Sequence, residues 1–164
     1  MDVSANLERN EGGADMYKAI EVARYIVNKC IDDDYPVSNL QLQKILYFIQ
    51  RYYLQNNNQL FDDDFEAWQF GPVIPTVYYK FCGYGAMPIT SKLNNSNVSD
   101  ILPKDRKNID NFTKDKRKLY PWDLVEETHR IGGAWDIVFD DGNGNHTTIP
   151  KELIKKEDNS HKNR

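Results

Sequence analysis

The 164-residue chain is poor in the features that announce a location or a chemistry. No apolar run approaches the roughly 20 residues a membrane helix needs. The opening residues, MDVSANLERNEGGAD, lack the apolar core of a secretory leader. Cysteine occurs only twice, as Cys30 and Cys82, which excludes a disulfide framework and suits free thiols in a reducing cytoplasm. No Gly-rich phosphate loop, no G-x-S-x-G and no His-Glu-x-x-His is present. Basic residues are outnumbered, 21 against 25 acidic, and the net charge of −4 argues against a dedicated nucleic-acid binder. The expectation is a cytoplasmic globular domain with no catalytic residue, no cofactor and no metal.

Aromatic side chains are plentiful instead. The segment LFDDDFEAWQFGPVIPTVYYKF (residues 60–81) crowds Phe61, Phe65, Trp68, Phe70, Tyr78, Tyr79 and Phe81 around one glycine and two prolines. Gly71 tolerates backbone angles that a side chain forbids, and Pro72 fixes its own φ and offers no donor, so the chain must turn sharply there. After Pro75 the sequence can wind as a helix, because proline is accepted in a first turn. An extended piece over residues 65–70 therefore leads into a short aromatic helix. Nothing in the segment supplies a nucleophile, and its build suits a surface that grips a partner.

Residues 1–15 read as a flexible arm. Asp15 can cap a first helix whose apolar stripe is Ile20, Ala23, Ile26, Val27, Cys30 and Ile31. Ser38 and Gln41 form a capping box ahead of a second helix, on which Leu42, Ile45, Leu46, Phe48, Ile49, Tyr52 and Tyr53 make a wide apolar face. Helical character returns over residues 103–119, with Ile109 and Phe112, and again in WDLVEETHRI, which Gly132 and Gly133 end. Ile137-Val138-Phe139 and Thr147-Thr148-Ile149 flank DDGNGN, which predicts a β-hairpin. A last short helix, KELIKKE, precedes a polar tail over residues 157–164. The fold class expected is α+β, predominantly α-helical: a compact helical bundle with one small β-hairpin in a domain over residues 16–156.

Each motif has a plainer reading beside the functional one. His129 lies near Asp123 and Glu126, but that is half a metal site at most, and a structural hydrogen bond is favoured. Asp141, Asn143, Asn145 and Glu152 fall on a calcium-loop template whose required glycine is His146 here, so a hairpin tip is favoured. The acid runs at residues 32–34 and 62–64 read as solvated loops in which one member caps the next element. Lys104, Arg106, Lys107, Lys114, Lys116, Arg117 and Lys118 form the only basic concentration, interrupted by acids and without an aromatic ladder; a solvated helix face is favoured over nucleic acid. The aromatics divide between a core reading and a partner-binding reading, since each buried tyrosine hydroxyl needs a partner.

Three blocks, LQKILYFIQRYYL, LFDDDFEAWQFGPVIPTVYYKF and LVEETHRIGGAW, together resemble the Panacea domain of SocA-type antitoxins, also carried by prophages as phage-associated proteins. The resemblance covers roughly residues 16–155 and is weakest over residues 87–120. It implies a proteinaceous antitoxin that binds a cognate toxin encoded next to it, and a possible adaptor role handing that toxin to a ClpXP-type protease. The alternative is a prophage-encoded inhibitor or adaptor aimed at a host protein. No membrane and no nucleic acid is expected among the partners. The partner-binding residues expected are Lys44, Tyr47, Tyr52, Glu66, Trp68, Tyr78, Tyr79 and His129, with a Lys44–Glu66 ion pair as the structural alternative.

Overall fold

The computed structural model describes residues 16–93 and 100–157. The N-terminal arm, the Asp15 cap and the tail beyond residue 157 lie outside the described residues. The element order is α1 (Ala19–Asp32), α2 (Asn39–Gln55), β1 (Phe65–Trp68), β2 (Gly71–Val73), α3 (Pro75–Phe81), α4 (Pro103–Lys116), α5 (Pro121–Thr128), α6 (Ala134–Phe139), β3 (Thr147–Ile149) and α7 (Lys151–Lys155). The fold is a predominantly helical α+β one with a small antiparallel sheet of order β2-β1-β3.

Helix α2 is the axis of the molecule. Residues on every side of it are buried, from Leu42 through Leu54, as expected of a helix enclosed by its neighbours. It packs against α1, α3, α4, α5, α7 and β2. Its N-terminus carries the expected capping box: the Gln41 amide donates to Ser38 Oγ at 3.2 Å, and the Ser38 amide donates to Gln41 Oε1 at 2.9 Å. Polar side chains inside this axis all serve the chain around it. Gln50 donates to Phe61 O (2.6 Å) and accepts from the Leu60 amide (2.9 Å), tying the segment after α2 back to the helix.

Two local expectations are corrected. Residues 137–139 are not a strand; they end helix α6, whose first amide, Ala134 N, donates to Glu157 Oε2 at 2.8 Å. The predicted hairpin between residues 137 and 149 therefore does not form. The small hairpin is β1–β2, registered Glu66↔Val73, Ala67↔Pro72 and Trp68↔Gly71, and β3 joins the other edge of β1 with Phe65 opposite Ile149. The acid run at residues 62–64 caps a distant element and not the next one, because Asp63 Oδ1 accepts from the Ala19 amide at the start of α1 (2.9 Å). Glu157 is fixed inside the fold, with Arg51 at 3.0 Å and Arg130 at 3.7 Å.

Candidate functional site: an aromatic groove

The site begins with two buried amide side chains on α2. Gln43 accepts from the Ile74 amide (2.9 Å) and donates to Asn39 Oδ1 (3.0 Å), and Asn39 donates to Tyr78 O (3.1 Å). This relay fixes Ile74, the residue capping α3, and so the angle at which α3 leaves the sheet. At the hairpin turn Gly71 has φ of +114°, and a Cβ there would lie 2.6 Å from Lys44 Cε and 2.9 Å from Thr128 Oγ1. Only glycine allows both that angle and that approach. The turn thus sits directly on α2 and α5 and presents Phe70 outward.

The result is a groove of about 480 Å³ whose walls include Leu40, Trp68, Phe70, Val73, Tyr78 and Trp122, with Asn145 and His146 at one side. Trp68 is half-buried and organises the wall. Its indole donates to Glu66 Oε1 at 2.9 Å, its ring stacks on His146 at 4.3 Å, and Tyr78 meets it edge-on at 5.0 Å. Phe70, 46% exposed, packs edge-to-face on Trp122, 60% exposed, at 5.3 Å. Tyr79, 62% exposed, continues the aromatic surface beside Trp68 at 6.2 Å. Among the described residues, the groove lining contains no Ser, Thr, Cys, Lys, Asp or Glu. Among the described residues no group of three or more His, Cys, Asp or Glu is placed to hold a metal ion.

The eight residues singled out from the sequence do not all meet here. Trp68, Tyr78 and Tyr79 come together, and Glu66 orients Trp68. Lys44 and Tyr47 are completely enclosed, so the expectation that they touch a partner is corrected: they act on the scaffold. The expected Lys44–Glu66 ion pair is also corrected. Lys44 Nζ donates to Pro72 O at 3.2 Å, beneath the hairpin turn, while Glu66 bonds Trp68. Burial alone pulls the Lys44 ammonium down to about 7, since the charged form is the one that loses hydration. His129 stacks face-on against Trp135 at 3.6 Å, and Trp135 donates to Trp68 O at 2.7 Å. Burial, then the Lys44 charge, lower His129 to about 4. His129 is thus a neutral support two rings behind the groove. Tyr52 belongs elsewhere, against Phe112 of α4 at 5.4 Å.

Phe70, Trp122 and His146 line the groove without having been singled out as contacts. For Trp122 a signal existed: it follows Pro121 at the start of α5, off the stripe formed by Leu124, Val125 and Thr128.

Fold and groove define an α-rich domain in which part of the exposed aromatic set, Phe70 and Trp122, joins half-buried Trp68 and Tyr78 at one concave surface. Residues 42–136 match the family described as "Antitoxin SocA-like, Panacea domain". The chain is also 34% identical over 130 residues to "Antitoxin SocA" of Caulobacter vibrioides (strain NA1000 / CB15N), an alignment covering 71% of this chain and 68% of that protein. The chain belongs to the SocA-like, Panacea-domain antitoxin family. No solved structure matches it significantly. Membership supports an antitoxin role, points away from enzymatic activity and implies a toxin as partner in general terms. No helix among the described residues is long and apolar enough to cross a membrane.

Proposed function

We propose that the protein neutralises a cognate toxin by direct stoichiometric binding, with the toxin seated on the aromatic groove. The observation that carries this reading is that exposed Phe70 and Trp122, paired edge-to-face, line the same groove as Trp68 and Tyr78. Tryptophan and tyrosine are enriched among the few residues that dominate binding energy at interfaces. A concave patch of such rings on a body already stabilised by a buried α2 has no evident packing purpose. In this assignment Trp68, Tyr78 and Tyr79 are contacts, Glu66 is a positioning residue for Trp68, and Lys44, Tyr47 and His129 hold the floor.

The test is co-expression with the adjacent open reading frame, scoring growth and co-purification together. A toxic neighbour that the protein silences and retains on a column at fixed stoichiometry supports the proposal. A harmless neighbour that does not co-purify sinks it and leaves the inhibitor of a host protein as the reading to pursue. Hand-over to a ClpXP-type protease is a further step that the same grip would serve. It is read from toxin half-life in cells with and without that protease: a half-life insensitive to the protease removes the adaptor role while leaving neutralisation by binding intact.

A further inference from the structure

The basic concentration on α4 and the turn after it is not uniform once its contacts are known. Three of its members are committed or enclosed: Lys116 binds Glu127 at 3.1 Å, Arg117 binds Asp33 at 2.9 Å, and Arg106 is half-buried. The other four, Lys104, Lys107, Lys114 and Lys118, are exposed. Lys104, Lys107 and Lys114 recur with Asn111 at three- and four-residue spacing, which puts them on one face of α4, and Lys118 lies in the turn that follows the helix. That face points away from the buried residues Asp105, Ile109 and Thr113. The helical part of the stripe, from Lys104 to Lys114, runs roughly 15 Å at the helical rise.

Two observations separate this stripe from an ordinary solvated helix face, which mixes both signs. Among the described residues none of the four lysines has an ion-pair partner within 4.0 Å. The acid in best reach of Lys107 and Lys114 along the helix, Asp110, accepts a hydrogen bond from Tyr25 of α1 at 2.8 Å. Beside the stripe lies a cleft of about 430 Å³ lined by Tyr25, Pro103, Arg106, Lys107, Asp110 and Lys114. The surface is therefore a line of exposed lysines outside ion-pair distance of any acid among the described residues, with a recess along one side that Asp110 also lines, on a chain whose net charge is −4.

We propose that this α4 face is a second interaction surface, separate from the aromatic groove, and that its partner is an acidic helical segment of another protein. Carboxylates spaced three and four residues apart on a partner helix would meet the lysines in register. Nucleic acid fits less well. Four cations fall short of the roughly six to ten phosphate contacts typical of strong salt-dependent binding. All four are lysine, which lacks the planar fork that grips phosphate bidentately. Asp110 and Asp115 flank the line on either side, confining attraction to a track one helix wide.

The experiment uses the full chain and a fluorescein-labelled, alanine-based helical peptide carrying glutamate at three- and four-residue spacing. Anisotropy is followed at low and at physiological salt. The stripe variant Lys104→Gln, Lys107→Gln, Lys114→Gln, Lys118→Gln is compared with a control of equal net charge, Lys18→Gln, Lys80→Gln, Lys92→Gln, Lys156→Gln. Circular dichroism checks that both remain folded. We expect the stripe variant to lose at least tenfold in affinity and the control to stay within about twofold of the parent. Equal losses in the two variants would mean that net charge alone attracts the peptide, and the proposal fails. It fails equally if a duplex oligonucleotide displaces the peptide at lower concentration than unlabelled peptide does, since the surface would then be one for phosphates.

Discussion

Lys44 shows most directly how a single residue is used. An ammonium with one carbonyl acceptor and, among the described residues, no carboxylate in ion-pair reach is a costly thing to enclose, because hydration is lost and little is returned. Its position under Gly71 and Pro72 makes it the floor of the hairpin turn that carries Phe70. The pH dependence follows from the direction of the shift. Lys44 is held near 7 when folded and titrates near 10.5 when unfolded. Between those values the unfolded chain binds more protons, so stability rises with pH across that interval and is lost as pH falls toward 7. The upward shift of Cys30 works the other way above about 9, which leaves pH 7 to about 8.5 as the clean window. Urea unfolding there is expected to show a gain of roughly 1 to 2 kcal/mol in the parent, and a flat profile in Lys44→Met. His129 adds a second rise at lower pH. Its folded value near 4 lies below its ordinary 6.5, so stability falls as the solution is acidified through that range. A parent profile that is flat from pH 7 to 8.5 would mean that Lys44 is hydrated.

At the scale of elements, local signals were legible and remote ones were not. The start of α2 could be read from Ser38 and Gln41 because both partners lie within one turn. The short helix after Pro75 was legible for the same reason. Ile137-Val138-Phe139 misled because β-branched and aromatic residues favour strands only as a weak prior, which tertiary contacts override. Here the override is specific: Gly133 opens the helix, Glu157 accepts from its first amide, and the ring of Trp135 is sandwiched between His129 and Phe139. None of these partners is visible from the residues 137–139 themselves. The strand that pairs with Thr147–Ile149 is β1, far back in the chain. Glu157 is accordingly the residue on which α6 and the C-terminal helix depend. Its side chain is 3% exposed between Arg51 and Arg130, with Ala134 N in reach. Removing one partner from such a cluster leaves charge buried without compensation. Glu157→Ala is expected to cost about 3 kcal/mol in chemical denaturation, with early loss of amide protection in α6. An unchanged midpoint would show that the cluster is solvated and that α6 is held by Trp135 alone.

For the whole molecule, the question is how one chain places aromatic rings both in its core and on its surface. Tyr47, Phe48, Phe61, Phe65 and Phe81 are all buried around α2, yet only Phe48 lies on the apolar face that the sequence spacing predicts. Tyr47 is expected there as a partner contact and the other three fall in the segment read as a gripping surface, so the core half of the aromatic set was legible only in part. The groove half was legible only where sequence neighbours carry it, as in Trp68, Tyr78 and Tyr79. Trp122 reaches the same surface from α5, across a connection no local pattern describes, and His146 arrives from the turn before β3 with φ of +68°. Two tryptophans separate the roles. Trp135 is 7% exposed, stacks on His129 and donates to Trp68 O, so it belongs to the scaffold. Trp122 is open to solvent and touches Phe70. Trp135→Ala is therefore expected to cost 3 to 5 kcal/mol of stability, or on that order, as large buried truncations do. Trp122→Ala should leave the unfolding midpoint within about 0.5 kcal/mol of the parent and weaken capture of the cognate toxin by about 2 kcal/mol, or roughly thirtyfold. Calorimetric titration with the toxin and urea unfolding of the free protein, run on both variants, read the two effects apart. A Trp122→Ala protein that is stable and binds the toxin as tightly as the parent would move the interface away from the groove, whatever the growth assay shows.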